Sequence, residues 1–110
     1  MLFTLSSAQA QLGSVEPVQR VSLTDEQLTK IQDGVRRELK TSDPIQLGPT
    51  IGGKDLKGVI HVCGWIGTQS GLVPFSGRFS ETTFVVIRLA TDQRGADTTM
   101  ATCKVRGLGL

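Results

Sequence analysis

The sequence has few of the residues from which metal sites and active sites are usually built. It holds a single histidine and two cysteines, and Cys63 and Cys103 lie far apart in the chain. This set fits none of the usual zinc-ligand spacings. No pair of carboxylates is spaced in a way that specifies glycosidase chemistry. We therefore predict no metal site, no cofactor and no catalytic constellation built from carboxylates.

Long hydrophobic runs and a strong charge of one sign are also absent. No apolar stretch approaches the length that spans a bilayer, so we predict no transmembrane segment. The net charge is only +2, and the twelve Lys and Arg residues are spread along the chain. Such a balance gives no strong field for steering nucleic acid, which we exclude as a partner. A chain of 110 residues with 38% hydrophobic residues has room for one core and one domain.

The first residues differ in composition from the rest. Residues 1–10 join a short apolar start to the small-x-small pattern AQA, which signal peptidase accepts, although a charged n-region is missing. We predict a signal-peptide remnant at 1–10, a flexible leader at 11–22 and a single domain at 23–110. The alternative for the start is a disordered or strand-like terminus. Export would place the protein in the periplasm or outside the cell, where disulfides persist.

An amphipathic helix after Thr24 is the clearest local pattern. Thr24 and Gln27 have the spacing of a capping box, and Pro44 is expected to end the helix. Gly34 is out of place within it, and a close approach to a sheet is one interpretation. The apolar residues at helical spacing are Leu28, Ile31, Val35 and Leu39.

Beyond the helix the pattern changes to strands. In KGVIHVCGWIGT, alternation sends His61, Cys63 and Trp65 to one face and Val62 and Ile66 to the other. LVPFSGRF and TTFVVIRLA predict two further strands, residues 45–47 a short edge strand, and GPTIGG a loop. The sequence therefore predicts an α+β fold in which one long amphipathic helix packs on a three- to four-stranded antiparallel sheet.

The last stretch, DTTMATCKVRGLGL, follows the polar loop TDQRGADT. It predicts a short C-terminal helix or strand. As a helix, it would have Asp97 as its N-terminal cap and Gly107 as its left-handed stop.

Two stretches approach catalytic motifs without completing them. GPTIGGKD nearly matches a phosphate-binding loop, but Asp55 stands where a magnesium-binding hydroxyl is required. His61 and Cys63 share a strand face, as a base and a thiol nucleophile would, yet the apolar surroundings are not those of a reactive thiolate. The two cysteines of an exported chain more often pair with each other. We therefore predict a disulfide between Cys63 and Cys103.

The helix, a DP turn, the strand GVIHVCGWI, the segment FSG, the strand FVVI and a final cysteine near GLGL occur in this order. Together they resemble a group of small exported proteobacterial proteins of uncharacterised function. Members of that group show the pattern V-C-G-x-V-N-A-K-N-S-F-G-G-Y-x-G, a D-P-[DE]-S-A-x-F turn and a cysteine close to the C-terminus. Here VCGW matches at residues 62–65, whereas the shorter GTQSGLVPFSG replaces the polar part. The resemblance, over residues 23–110, implies export and two cysteines but no activity.

One segment mixes apolar side chains with glycines and is predicted to be an exposed loop. Its candidate binding residues are Thr68, Gln69, Ser70, Leu72, Val73 and Phe75. The leading hypothesis is a non-enzymatic periplasmic binding or structural module that contacts an envelope protein or a cell-wall component through this loop. A small cysteine-dependent enzyme using Cys63 and His61 is one alternative. An inhibitor or immunity-type protein with the same loop as a plug is another.

Overall fold

A computed structural model describes residues 18–40, 45–69 and 71–109 of the chain. The described elements are β1 (Gln19–Val21), α1 (Asp25–Leu39), β2 (Gln46–Lys54), β3 (Ile60–Thr68), β4 (Gly71–Ser80), β5 (Thr83–Leu89) and α2 (Gln93–Arg106). The strands form one antiparallel sheet in the order β1-β2-β3-β4-β5. The predicted α+β class is confirmed. The described sheet has five strands rather than three or four, and the second helix is nearly as long as the first.

Helix α1 begins as the sequence predicts. The Thr24 side chain accepts a hydrogen bond from the Gln27 amide at 3.1 Å, and the Thr24 amide donates to the Gln27 side chain at 2.9 Å. This reciprocal pair is the predicted capping box, and it satisfies two amides that the first turn leaves without partners. The helix ends at Leu39, with Lys40 as a left-handed cap. The predicted stop, Pro44, lies outside the described residues.

The two helices cover opposite faces of the sheet, so β3 contributes to two separate cores. Val62 and Ile66 point towards α1 and Cys63 points towards α2, which confirms the predicted alternation. The α1-side core consists of Ile31, Val35, Ile45, Val62, Ile66, Phe75, Phe79 and Phe84. The smaller α2-side core consists of Cys63, Cys103 and Leu108, with Val18 and Ile51 packed against it.

Gly34 lies where α1 packs closely against β5. A Cβ atom at this position would lie 2.9 Å from the Phe84 ring and 3.1 Å from the Phe84 carbonyl oxygen. The close approach suggested by the sequence is therefore confirmed. It explains why α1 keeps a residue with low helix propensity in its middle.

Two predictions near the start of the sheet were wrong. The stretch GPTIGG is part of β2 rather than a loop, because Gly52 leaves room for the Leu23 side chain and Gly53 leaves room for Val18. Residues 19–21, assigned to a flexible leader, pair with residues 52–54 as β1. The predicted signal remnant and the leader as far as residue 17 lie outside the described residues.

Helix α2 is longer than the sequence predicts and begins earlier. Its N-terminal cap is Asp92, whose side chain accepts a first-turn amide at 2.7 Å, rather than Asp97. Gly107 ends the helix in the left-handed conformation, as predicted. Only Thr99 and Cys103 are buried, so α2 has no wide apolar stripe. For this reason TDQRGADT resembles a polar loop in the sequence although the helix begins within it.

Candidate functional site

The loop predicted at residues 68–75 is instead the end of the β3–β4 hairpin. The Thr68 side chain donates a hydrogen bond to the Gly71 carbonyl at 2.9 Å, and β4 already begins at Gly71. Gln69 is exposed in the turn. Ser70 lies outside the described residues. The segment therefore comprises the end of β3, the turn at Gln69 and the start of β4, and the strand predicted from LVPFSGRF covers its last residues.

The apolar residues of this segment are divided between solvent and core. Leu72 is 65% exposed, Val73 is half-buried, and Phe75 is completely buried in the α1-side core. Alternation along β4 sends successive side chains to opposite faces of the sheet. The prediction of a contiguous exposed apolar loop was therefore wrong, and Phe75 cannot contact a partner.

The predicted disulfide is present. Cys63 in β3 is bonded to Cys103 in α2, across forty positions of sequence, and neither side chain is more than 2% exposed. The bond leaves no free cysteine in the chain. A thiol nucleophile at Cys63 would first require reduction of a buried disulfide.

His61 stands two residues before Cys63 on the same face and uses both of its ring nitrogens. Its Nε2 lies 2.9 Å from Asp55 Oδ2, and its Nδ1 lies 3.0 Å from Arg106 Nη1. A guanidinium group can only donate hydrogen bonds, so Nδ1 is the acceptor, and Nε2 carries the hydrogen donated to Asp55. With both nitrogens engaged, His61 positions Arg106 rather than acting as an accessible base.

Asp55, the residue that breaks the phosphate-loop pattern, holds the β2–β3 connection together. Its Oδ1 accepts hydrogen bonds from the amides of Lys57 and Val59, each at 2.9 Å. The hydrogen bond from His61, followed by that from the Val59 amide, lowers the pKa of Asp55 below its ordinary value of 3.8. Gly58 supplies the left-handed residue of this turn, with φ at 87°. An Asp three positions before a Gly, between two strands, is the sequence signal that would have identified this turn.

Replacing Asp55 with asparagine is expected to destabilise the fold at neutral pH. In either orientation, the amide nitrogen of asparagine would place a donor against the His61 Nε2 hydrogen or against the backbone amides of the turn. Because folding lowers the pKa of Asp55, its ionised form stabilises the protein above pH 3.8. That stabilisation is lost as the pH falls from 3.8 through the lower pKa that Asp55 has in the folded state.

Thermal unfolding across a pH series measures this effect. The Tm difference between wild type and Asp55→Asn should be largest near pH 7 and should narrow below pH 3.8. Glu38→Gln removes an equal charge from an exposed helix position and should leave Tm nearly unchanged. A difference that stays constant down to pH 2 would contradict this role.

Cross-strand register brings basic side chains together on the α2 face of the sheet. Residues directly opposite in an antiparallel pair share a face. One such row across the strands consists of Arg20, Gly53, His61 and Arg78. The neighbouring row consists of Ile51, Cys63, Ser76 and Arg88. Sequence reasoning missed this grouping because its members come from different strands. No local pattern connects them.

A cleft of about 100 Å³ lies between these rows and α2. We call it the α2-side cleft and define it by Ser76, Arg88, Thr102 and Arg106, with His61 beside Arg106. Arg88 is exposed and Arg106 is half-buried. Across residues 18–40, 45–69 and 71–109, neither guanidinium forms an ion pair with a carboxylate. The cleft therefore offers charged donors that the fold itself does not neutralise by direct contact.

Metal-binding clusters and membrane-spanning helices are absent from the same described ranges. There, no group of three or more His, Cys, Asp or Glu side chains is placed to hold a metal ion. None of the helices in this part of the chain is long and apolar enough to cross a membrane. In comparisons with known proteins, the chain matches no protein-family model, no curated protein and no solved structure.

Proposed function

We propose that the protein is an exported, non-enzymatic binding module and that it binds its partner through the α2-side cleft. The observation that carries this proposal is the presence of Arg88 and Arg106 beside one cleft, with no carboxylate of the described chain paired to either. Arginine side chains placed in this way are typical of sites that recognise negatively charged groups.

The residues with the chemistry of a catalyst are already engaged in the fold. Cys63 is bonded to Cys103, and His61 is held between Asp55 and Arg106. Nucleophilic catalysis needs an activated thiolate and an available base. Binding therefore accounts for this arrangement better than the alternative of a thiol enzyme.

Export is proposed on two grounds. A buried disulfide between Cys63 and Cys103 suits an oxidising compartment. The composition of residues 1–10 and the resemblance to small exported proteins suggest the same compartment. On this basis the partner is an envelope protein or a cell-wall component.

The β3–β4 hairpin supports binding less well than the cleft does. Its one strongly exposed apolar side chain in the described segment is Leu72, and single exposed apolar residues are common on protein surfaces. An inhibitor or immunity-type role through this hairpin would need further contacts that the buried Phe75 cannot make.

Retention of material from envelope extracts tests the proposal. Wild-type protein, Arg88→Gln and Arg94→Gln would be immobilised separately. Arg94 is exposed on α2 and does not line the cleft, so its variant carries the same charge change elsewhere. Wild type and Arg94→Gln should retain the same component, and Arg88→Gln should lose it. Equal retention by all three proteins would contradict a role for the cleft.

The intact mass of protein isolated from its native host tests export. A chain starting near Gln11 whose cysteines resist alkylation until reductant is added would support the proposal. An unprocessed chain with two readily alkylated cysteines would overturn the proposed compartment and return the thiol enzyme to consideration.

A further inference from the structure

We infer that the α2-side cleft binds a phosphate group carried by its ligand. This inference rests on the proposed binding function and names the chemistry that the same cleft would recognise. Three features support it: the hydrogen-bond donors that line the cleft, their positive charge, and the hydrogen bond that holds Arg106 in place.

The donors approach the cleft from different elements. Ser76 lies on β4, Arg88 on β5, and Thr102 and Arg106 on α2. Ser76 and Thr102 each add a hydroxyl group that can donate a hydrogen bond to an anion. A phosphate has several oxygens in a tetrahedral arrangement, so it can accept from several directions, whereas a carboxylate offers two oxygens in one plane. The cleft is small, at about 100 Å³, which suits the binding of one small anionic group.

The surrounding charge favours an anion with more than one negative charge. Arg78, Arg88 and Arg106 lie on or beside this face. The Asp55 carboxylate contacts His61 Nε2, whereas Arg106 contacts Nδ1 on the same ring. A phosphate monoester carries about −1.5 to −2 charges at neutral pH. Several guanidinium groups therefore match a phosphate monoester better than they match a carboxylate, which carries a single charge.

Arg106 is held in place before a ligand arrives. Its Nη1 donates to His61 at 3.0 Å, and His61 is in turn fixed by Asp55 at 2.9 Å. One nitrogen is thereby used, and the remaining N–H groups of the guanidinium stay available. A side chain ordered in advance loses less conformational entropy on binding. The Asp55–His61 pair thus acts as a support for Arg106.

The C-terminal end of α2 opposes anion binding, but three of its last four carbonyl groups, those of Cys103, Lys104 and Arg106, already have donors. The partial negative charge of a helix C-terminus comes from carbonyls without partners. Here the Arg106 carbonyl accepts from the Val18 amide at 3.0 Å, and the Cys103 carbonyl accepts from the Leu108 amide at 2.8 Å. Arg20 donates to the Gly107 carbonyl at 3.2 Å. These bonds reduce the repulsion that a phosphate near the helix end would experience.

A second basic surface, at the end of α1, is less suited to a phosphate. It is lined by Asp33, Arg36, Arg37 and Lys40. Asp33 forms an ion pair with Arg36 at 3.4 Å. The Asp33 carboxylate would repel an anion, and the Arg36 guanidinium already has this carboxylate as its partner. The inference is therefore restricted to the α2-side cleft.

Titration of the ¹⁵N-labelled protein with sodium phosphate, followed by NMR at pH 7 and constant ionic strength, tests the inference. Saturable shifts are expected for the amides of Ser76, Gly77 and Thr102. Arg88→Gln should weaken binding about tenfold or more, the effect of removing a charge-assisted hydrogen bond. Arg94→Gln should bind like wild type. Glycerol phosphate and vesicles containing phosphatidylglycerol, added in separate arms, distinguish a soluble phosphate from a lipid headgroup.

Shifts that grow linearly without saturation, or equal binding by Arg88→Gln, would overturn the phosphate inference. Acetate binding as tightly as phosphate would also overturn it, because the cleft would then be a general carboxylate site. If retention from envelope extracts depends on Arg88 but phosphate does not bind, the binding function stands and its phosphate chemistry is rejected. If neither experiment depends on Arg88, both proposals fail.

Discussion

Replacing Cys63 and Cys103 together with alanine is expected to lower the free energy of unfolding by about 4 kcal/mol. The disulfide joins positions separated by forty residues, and breaking the link returns a large loop-closure entropy to the unfolded chain. Alanine is preferred to serine because both positions are buried, where an unpaired hydroxyl would add a separate penalty.

The loss should be concentrated on the α2 side of the molecule. Among the described residues, the α2-side core contains, apart from the disulfide, only Leu108 with Val18 and Ile51 packed against it. Few apolar contacts remain to hold α2 on the sheet once the cross-link is absent. Segments with little apolar burial are the first to open in local unfolding. Amide exchange in α2 should therefore accelerate more than in α1.

Urea denaturation combined with hydrogen exchange measures both effects. Wild-type protein unfolded with and without reductant serves as a control that needs no substitution. A loss below about 1 kcal/mol would contradict the role given to the cross-link, as would equal acceleration of exchange in both helices. If the alanine variant does not fold, the reduced wild-type protein still supplies the comparison.

Phe75→Ala is expected to lower the free energy of unfolding by about 3–5 kcal/mol. The Phe75 ring is completely buried and packs edge-on against Phe84, with ring centroids 6.1 Å apart. It also covers Gly64, where a Cβ would lie 2.7 Å from the ring. A smaller side chain would leave a cavity beneath the centre of β3. Since small domains are stable by about 5–15 kcal/mol, such a loss is a large fraction of the total.

Leu72→Ala provides the matched control on the same strand. Leu72 is 65% exposed, so its truncation should change stability by no more than about 0.5 kcal/mol. The sequence predicted a strand over LVPFSGRF but also named both residues in an exposed binding loop, so the comparison separates the strand from the loop. Equal effects of the two substitutions, measured by urea denaturation, would contradict the assignment of Phe75 to the core.

Local sequence was sufficient for elements whose stabilising contacts lie within a few residues. The capping box at Thr24 and Gln27 formed as predicted, because both partners belong to the same turn. Alternation along β3 correctly separated Val62 from Cys63, since period two follows from strand geometry alone. Because the chain holds just two cysteines, their pairing could also be predicted.

Contacts between distant parts of the chain decided the remaining features. Gly52 and Gly53 form a strand because Leu23 and Val18 occupy the space above them, a fact that local propensity does not contain. Helix α2 buries only Thr99 and the disulfide-bonded Cys103, too few residues to leave an amphipathic pattern. Arg88 and Arg106 meet at one cleft only because strand register and the packing of α2 bring their elements together. Charged side chains far apart in sequence carry no periodic signal of their shared position, so tertiary structure alone reveals the candidate site.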